Sequence, residues 1–495
     1  MSIGNETLVD LNTAAGTMGV SFQISWNYSW RTSSAPKNWD AMWVFIKYRR
    51  NGGDWGHASL MNSGHTAPSG STIEVGLRDP TAAFNIASNP GAGIFIYRNT
   101  DGFGTNTFNG VKLVWNYAQD GLLLGDSIDF QVHAVHMVYV PAGAFYAGDN
   151  NTSTASFRQG SSDDDPWYIG GEGAITTANI TGSGTDTGGT LAEYYDATGY
   201  AIPAAFPKGY QAMYVMRHEI TQEQWRSFFN TLPTGTPRTN RDITGNPGKN
   251  VDSCAPGYTV TSRNNLCWPG TGQATLPDAG GNRTFCTVPA NFLNWGDVAA
   301  WLDWAALRPM TELEFEKAAR GPDLPQDGEY AWGAAVPTPA TGISAGGFIG
   351  EQPSNAGANS HLGNVLTSGP LRVGSFAMLN YGSASRFGSG GSYYGVLELS
   401  GNLRERTVTV GNATGRAFTG VHGDGALDLN GQANVTNWPS VGAVGAGFRG
   451  GSYSEVAGLA RISDRTQATS VVSTTRSNNF GGRGVRFGAT PTPTP

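Results

Sequence analysis

Between Val20 and about Ala134 the apolar residues come in short β-branched and aromatic runs, separated by clusters of Gly, Asn, Asp and Ser. SFQISW (Ser21 to Trp26), MWVFIKYR (Met42 to Arg49), GIFIYR (Gly93 to Arg98), VKLVWNY (Val111 to Tyr117) and IDFQVHAV (Ile128 to Val135) are predicted strands on that spacing. In MWVFIKYR, Met42, Val44, Ile46 and Tyr48 share one face while Trp43 and Phe45 share the other, so both faces of this strand are predicted to be covered. The expected architecture of residues 1–134 is an antiparallel β-sandwich.

From residue 135 the pattern mixes periods. Thr221 with Gln224 forms a capping box, and Trp225, Phe228, Phe229 and Leu232 fall on one helical face before Pro233. Asn294 caps a second predicted helix, with Val298, Trp301, Leu302 and Ala305 as its apolar stripe. Thr311 and Glu314 box a third that ends at Gly321. These helices stand among Gly-rich strands and long polar stretches at 150–207, 234–285, 334–392 and 408–446, which predicts an α+β domain over 135–490 with loop insertions. Residues 491–495, PTPTP, read as a polyproline-like tail.

Composition narrows the function classes. Glycine numbers 70 of 495 residues and charged residues are only 14%, well under the roughly 25% of an average domain. A net charge of −7 with no basic stripe argues against nucleic acid. No stretch of about 18 apolar residues predicts membrane insertion, and MSIGNETLVDLNTAAG lacks the basic and apolar blocks of an ordinary signal peptide. The expectation is therefore cytoplasmic assembly, or export by a non-standard route to an extracellular or surface structure. Cys254 and Cys267 share one insertion and pair if the compartment oxidises them, with Cys286 left single; otherwise all three are thiols.

Three residue groups invite chemistry. Trp26, Trp30, Trp39, Trp43 and Trp55 read either as an aromatic platform for carbohydrate or, the favoured reading, as core and sheet-edge packing. Asp163, Asp164 and Asp165 offer oxygens to calcium but lack the spacing of an EF-hand, which favours a solvated loop. His133 and His136 point to opposite faces of a strand and are not expected to chelate one ion.

The last stretch, Gly447 to Gly488, holds R-G-G-S-Y (Arg449 to Tyr453), A-R-x-x-x-R (Ala460 to Arg465) and G-x-R (Gly484 to Arg486). Together with MVYVPAGAFYAGD (Met137 to Asp149), the helix at Tyr214 to Leu232, RPMTELEFEKAARG (Arg308 to Gly321), Tyr330-x-Trp332-Gly333 and YYGVLELSGNLRERT (Tyr393 to Thr407), it resembles the formylglycine-generating (sulfatase-modifying factor) family. The resemblance implies a C-type-lectin-like fold for 135–490. It also implies an oxidase whose copper sits on two cysteines shortly after G-G-S-Y. Here Ser454, Glu455, Val456, Ala457 and Gly458 follow, with no cysteine after Cys286. A catalytically empty member is expected, with neither copper nor iron.

The resemblance further places a candidate calcium site on Asn402, Leu403 and Glu405, whereas the family's other calcium motif begins at Asn355 and Ala356 and is not completed. Arg404 and Arg406 stand where the family usually has tryptophan. They read as an anion or carboxylate-sugar contact, or as ion pairs with Glu398, Glu405 or a neighbouring chain. Arg461, Arg465 and Arg476 lie in a polar loop read as exposed, and with Arg404 and Arg406 they are the binding and assembly candidates. The expected function is a structural protein that self-assembles into a homo-oligomer, as a filament or tube. The alternative is a module displaying the loop Ser463 to Asn479 to a carbohydrate or protein ligand, and formylglycine-type oxidation stands last.

Overall fold

A computed structural model describes residues 1–150, 153–159, 165–179, 191–193, 195, 199–245, 262–276, 285–363, 369–379, 385–470 and 474–488. Strands β1 (Ser2–Asn12), β2 (Thr17–Arg31) and β6 (Gly102–Trp115) form one antiparallel sheet in the order β1-β2-β6. It faces β3 (Asp40–Arg50), β4 (Ser71–Leu77), β5 (Gly91–Arg98) and β7 (Ile128–Val140), and the two sheets enclose Val20, Phe22, Ile24, Leu113 and Trp115 from one side and Met42, Val44, Ile46, Ile94 and Ile96 from the other. The sandwich is thus present, and it includes three strands outside the predicted set: β1, β4 and the short strand Trp55–His57, which pairs with β3.

The second sheet does not stop at the sandwich. Strand β7 pairs with β3 from Ile128↔Arg50 to Val138↔Asp40, and its last residues then pair with β8 (Met213–Met216). The order runs β9-β13-β8-β7-β3-β5-β4, where β9 is Arg308–Pro309 and β13 is Gly484–Phe487. The boundary expected at 134/135 therefore falls inside one unbroken strand. This explains the two-faced pattern of β3: Met42, Val44 and Ile46 fill the sandwich, while Ala41, Trp43 and Phe45 fill the core of the second domain. The Trp43 indole donates to the Ala305 carbonyl at 2.8 Å, locking that face onto a helix end.

The three long helices form where the caps predict. Helix α1 (Gln222–Thr231), α2 (Trp295–Trp304) and α3 (Glu312–Arg320) each begin with a reciprocal capping box, at Thr221, Asn294 and Thr311. Every residue of α3 is buried, including Glu312, Glu314 and Glu316. A buried carboxylate needs a cation and hydrogen bonds, and arginines supply them here. Arg308 grips Glu314 at 2.8 and 2.6 Å. Arg465 grips Glu312 at 2.8 and 3.0 Å, Arg449 bonds Glu316 at 2.5 Å, and Arg320 joins Glu316 to Glu329.

Cys267 is disulfide-bonded, and Cys286 is not in a disulfide. Cys254 lies outside the described residues, as do Asp163 and Asp164. No helix among the described residues is long and apolar enough to cross a membrane.

Candidate functional site

The segment after R-G-G-S-Y is held by a small sheet of β10 (Arg404–Val408), β11 (Ala446–Arg449) and β12 (Phe480–Gly481). Gly450 and Gly451, at φ 84° and 61°, turn the chain out of β11. A Cβ at Gly450 would lie 2.7 Å from the Leu399 carbonyl, so only glycine passes here. The turn places Glu455 beside β10, where Arg404 engages both of its carboxylate oxygens, one through Nε at 2.7 Å. The Ser452 hydroxyl adds a bond at 2.9 Å. Around them Arg404, Phe448, Arg449, Gly451, Leu459, Asp464 and Gln467 leave a cavity of about 10 Å³, room for about one water molecule.

The second arginine of the strand is stacked. Arg406 lies with its guanidinium 3.8 Å from the Phe448 ring centroid, and Phe448 in turn packs on Phe480 at 4.5 Å. Burial pushes its pKa down to about 9, against the pull of Asp297. Arg406 thus acts as a flat packing piece over Phe448, which a planar guanidinium does better than an ammonium, while Arg404 lies farther off, 5.6 and 5.7 Å from the Phe448 and Phe480 centroids. The partner of Arg404 is Glu455 rather than Glu398 or Glu405.

The remaining assembly candidates also turn inward. Arg465 is fully buried on Glu312 and stacks 3.8 Å from the Phe157 ring centroid. Arg476 bonds both oxygens of Asp297 at 2.7 Å and the carbonyls of Asn240 and Asp242. Arg461 hydrogen-bonds the Tyr330 side chain. The loop read as exposed therefore buries Ile462 to Arg465, exposes Thr466, Thr474 and Thr475, and has 471–473 outside the described residues.

At the candidate calcium turn, polar atoms meet protein partners. Both oxygens of Glu405 are taken by Arg483, at 2.7 and 2.5 Å. The Asn402 amide oxygen accepts from the Leu371 N–H at 2.8 Å, its amide nitrogen donates to Glu219 at 3.1 Å, and the Leu403 N–H also faces Glu219. Glu219 is buried and its carboxyl is held well above the usual range, first by burial and then by Glu398. A calcium ion needs six to eight oxygens and would have to break the Arg483–Glu405 pair to obtain two of them. The melting temperature is accordingly expected to stay unchanged in excess chelator; a fall of several degrees would restore calcium to Asn402, Leu403 and Glu405.

The tryptophans pack. Trp26 donates to Asp40 at 2.7 Å, Trp30 lies under Arg217, and Trp39 is covered by Tyr139 on one side and Arg31 on the other. Trp43 is buried and Trp55 lies under Arg49. His133 stacks on Phe45 and meets Trp304 edge-on, on the opposite face from His136. The buried Glu312–Arg465 and Glu316–Arg449 pairs were not anticipated; their one sequence signal is E-x-E-x-E inside an otherwise apolar helix.

Residues 129–487 match the family described as sulfatase-modifying factor enzyme 1-like domain. Among solved structures, Treponema denticola variable protein 1 is similar at 13% identity and a TM-score of 0.33, over 72% of this chain and 96% of that one. No curated protein matches the chain.

Proposed function

The chain belongs to the sulfatase-modifying factor enzyme 1-like family, and from that premise we propose that it is a non-catalytic member that works by assembling with copies of itself. The observation that carries the first half is the Arg404–Glu455 pair. Copper(I) chemistry needs thiolates, and the position the family resemblance gives to the first of them holds a carboxylate already neutralised by a guanidinium. The remaining space, about 10 Å³, is too small for a peptide side chain.

Assembly is supported by what the sandwich leaves uncovered. Strands β1 and β4 end their sheets, so each presents one row of backbone N–H and C=O groups to solvent. Beside β4 runs an open groove of about 470 Å³, lined among others by Ile73, Val75, Leu77 and Phe84. Strand β1 carries Leu8 and Leu11 exposed. Two different edges on one molecule favour head-to-tail contacts, which close into rings or run on as filaments. Only 14% charged residues suits a chain that covers part of its surface with neighbours.

Sedimentation and negative-stain imaging across a wide concentration range test this reading, and particles much larger than one 52.1 kDa chain are expected. A Val75→Pro change, at a position whose N–H faces outward on the β4 edge, is expected to shorten or abolish them. One monomeric species throughout would overturn assembly. Formation of aldehyde on a C-x-P-x-R peptide with copper(I) and oxygen would overturn the non-catalytic half.

A further inference from the structure

Where β7 passes from the sandwich into the second domain, two histidines meet whose roles nothing above explains. His136 sits on β7 and His218 lies just after β8, the neighbouring strand, with ring centroids 5.9 Å apart. Each ring is fixed from behind by its own carboxylate. His136 Nε2 is 2.8 Å from Asp40, which is buried and also receives Trp26 and the Ser29 hydroxyl. His218 Nδ1 is 3.2 Å from Glu398, whose other oxygen accepts the Gly374 N–H. A carboxylate accepts, so the bonded nitrogens carry the protons, and Nδ1 of His136 and Nε2 of His218 are left as lone pairs. Both side chains reach the surface, 17% and 19% exposed.

We propose that His136 and His218 form a two-imidazole site for a borderline divalent metal ion of the zinc class, completed by water. Two features support it. The ring spacing, 5.9 Å between centroids, suits two imidazoles on one ion. The carboxylate bonded to each ring is the arrangement that fixes tautomer and orientation in histidine metal sites. Among the described residues no group of three or more His, Cys, Asp or Glu is placed to hold an ion, so the site is open, with two protein ligands. Two cations among the described residues face the pair, Arg217, whose guanidinium is 3.4 Å from His136 Nε2 and stacks on Trp30, and Arg483, whose charge acts on His218; Asp40 and Glu398 stand against them. Imidazole pairs select zinc, nickel or copper(II) over calcium and magnesium.

The experiment is titration of the full chain with zinc chloride at neutral pH, with calcium chloride as the hard-cation control. Saturation near one equivalent is expected for zinc and none for calcium. His136→Gln and His218→Gln are each expected to weaken binding at least about 10-fold, Glu398→Gln to weaken it by a similar factor, and Cys286→Ser to leave it unchanged. Absence of zinc binding, or binding that both histidine variants retain, overturns the proposal. Should a variant melt below the parent, diethyl pyrocarbonate on the unaltered chain decides. Zinc protection of the peptides carrying His136 and His218 supports the site, and equal modification with and without zinc overturns it.

Discussion

Replacing Glu312 by glutamine is expected to destabilise the chain by about 3–5 kcal/mol. Glu312 is fully buried at the start of α3 and neutralises Arg465 through two bonds and Arg449 at 3.5 Å, while accepting from the Thr409 hydroxyl and the Val410 N–H. Its carboxyl is held below the usual range by Arg465, which outweighs burial together with Arg449 and the Val410 bond. With Glu316 and Glu329 it balances Arg320, Arg449 and Arg465, so the network as a whole is neutral. Removing one member of a buried pair strands the other and costs about 3–5 kcal/mol, a large part of the roughly 5–15 kcal/mol that holds a domain together. Asp129→Ala makes the comparison. It breaks the Arg49–Asp129 pair, 34% and 53% exposed, and is expected to cost under about 1 kcal/mol. Urea unfolding followed by tryptophan fluorescence reads both; equal midpoints for the two variants would show that the buried network is not what anchors α3.

That network was legible only in part, and the reason is physical. The apolar alternation of β3 foretold two covered faces because both partners are apolar layers, and any apolar layer satisfies such a pattern. Capping boxes at Thr221 and Thr311 were legible because all their atoms lie within four residues. The arginines of the C-terminal stretch were not. Arg465 finds Glu312 across 153 positions and Arg476 finds Asp297 across 179. A charge in sequence reads as exposed until its partner is known, so Arg404, Arg406, Arg461, Arg465 and Arg476 looked like a display surface. Strand β1 escaped because it is an edge strand with solvent on most of its length, which removes the alternation. Strand β4 escaped partly through Gly76, where the Trp43 ring and Arg486 occupy the space of a side chain. Of the histidine pair, His136 stood out in the sequence, but its neighbour His218 is brought to it by strand pairing that no local motif announces.

The protein is expected to lose stability in mild acid, as pH falls from about 6 to about 4. All seven histidines have pKa values lowered by burial: His133 and His361 to about 3, His136 to about 4, and His57, His65, His218 and His422 downward as well. A depressed histidine contributes stability that is present above its unfolded value of about 6.5 and is lost as pH falls toward the folded value. Six acids oppose this: Asp303, raised to about 7 by burial and then Asp424, Glu219, raised well above its ordinary range, and Asp120, Glu329, Glu405 and Asp464, all raised first by burial. Each holds a proton in the folded state that the unfolded chain gives up above about pH 4, so their contribution grows as pH falls. The seven imidazoles outnumber them, so the balance below about pH 6 is a net uptake of protons on unfolding and a loss of stability, at about 1.4 kcal/mol per net proton and pH unit. His133→Phe, at a position already stacked on Phe45 and against Trp304, removes one such proton and is expected to shift the acid midpoint downward without loss of the fold. Near-ultraviolet circular dichroism from pH 8 to pH 3 gives the curve. A midpoint unmoved by His133→Phe would mean that the buried imidazoles do not set the acid limit.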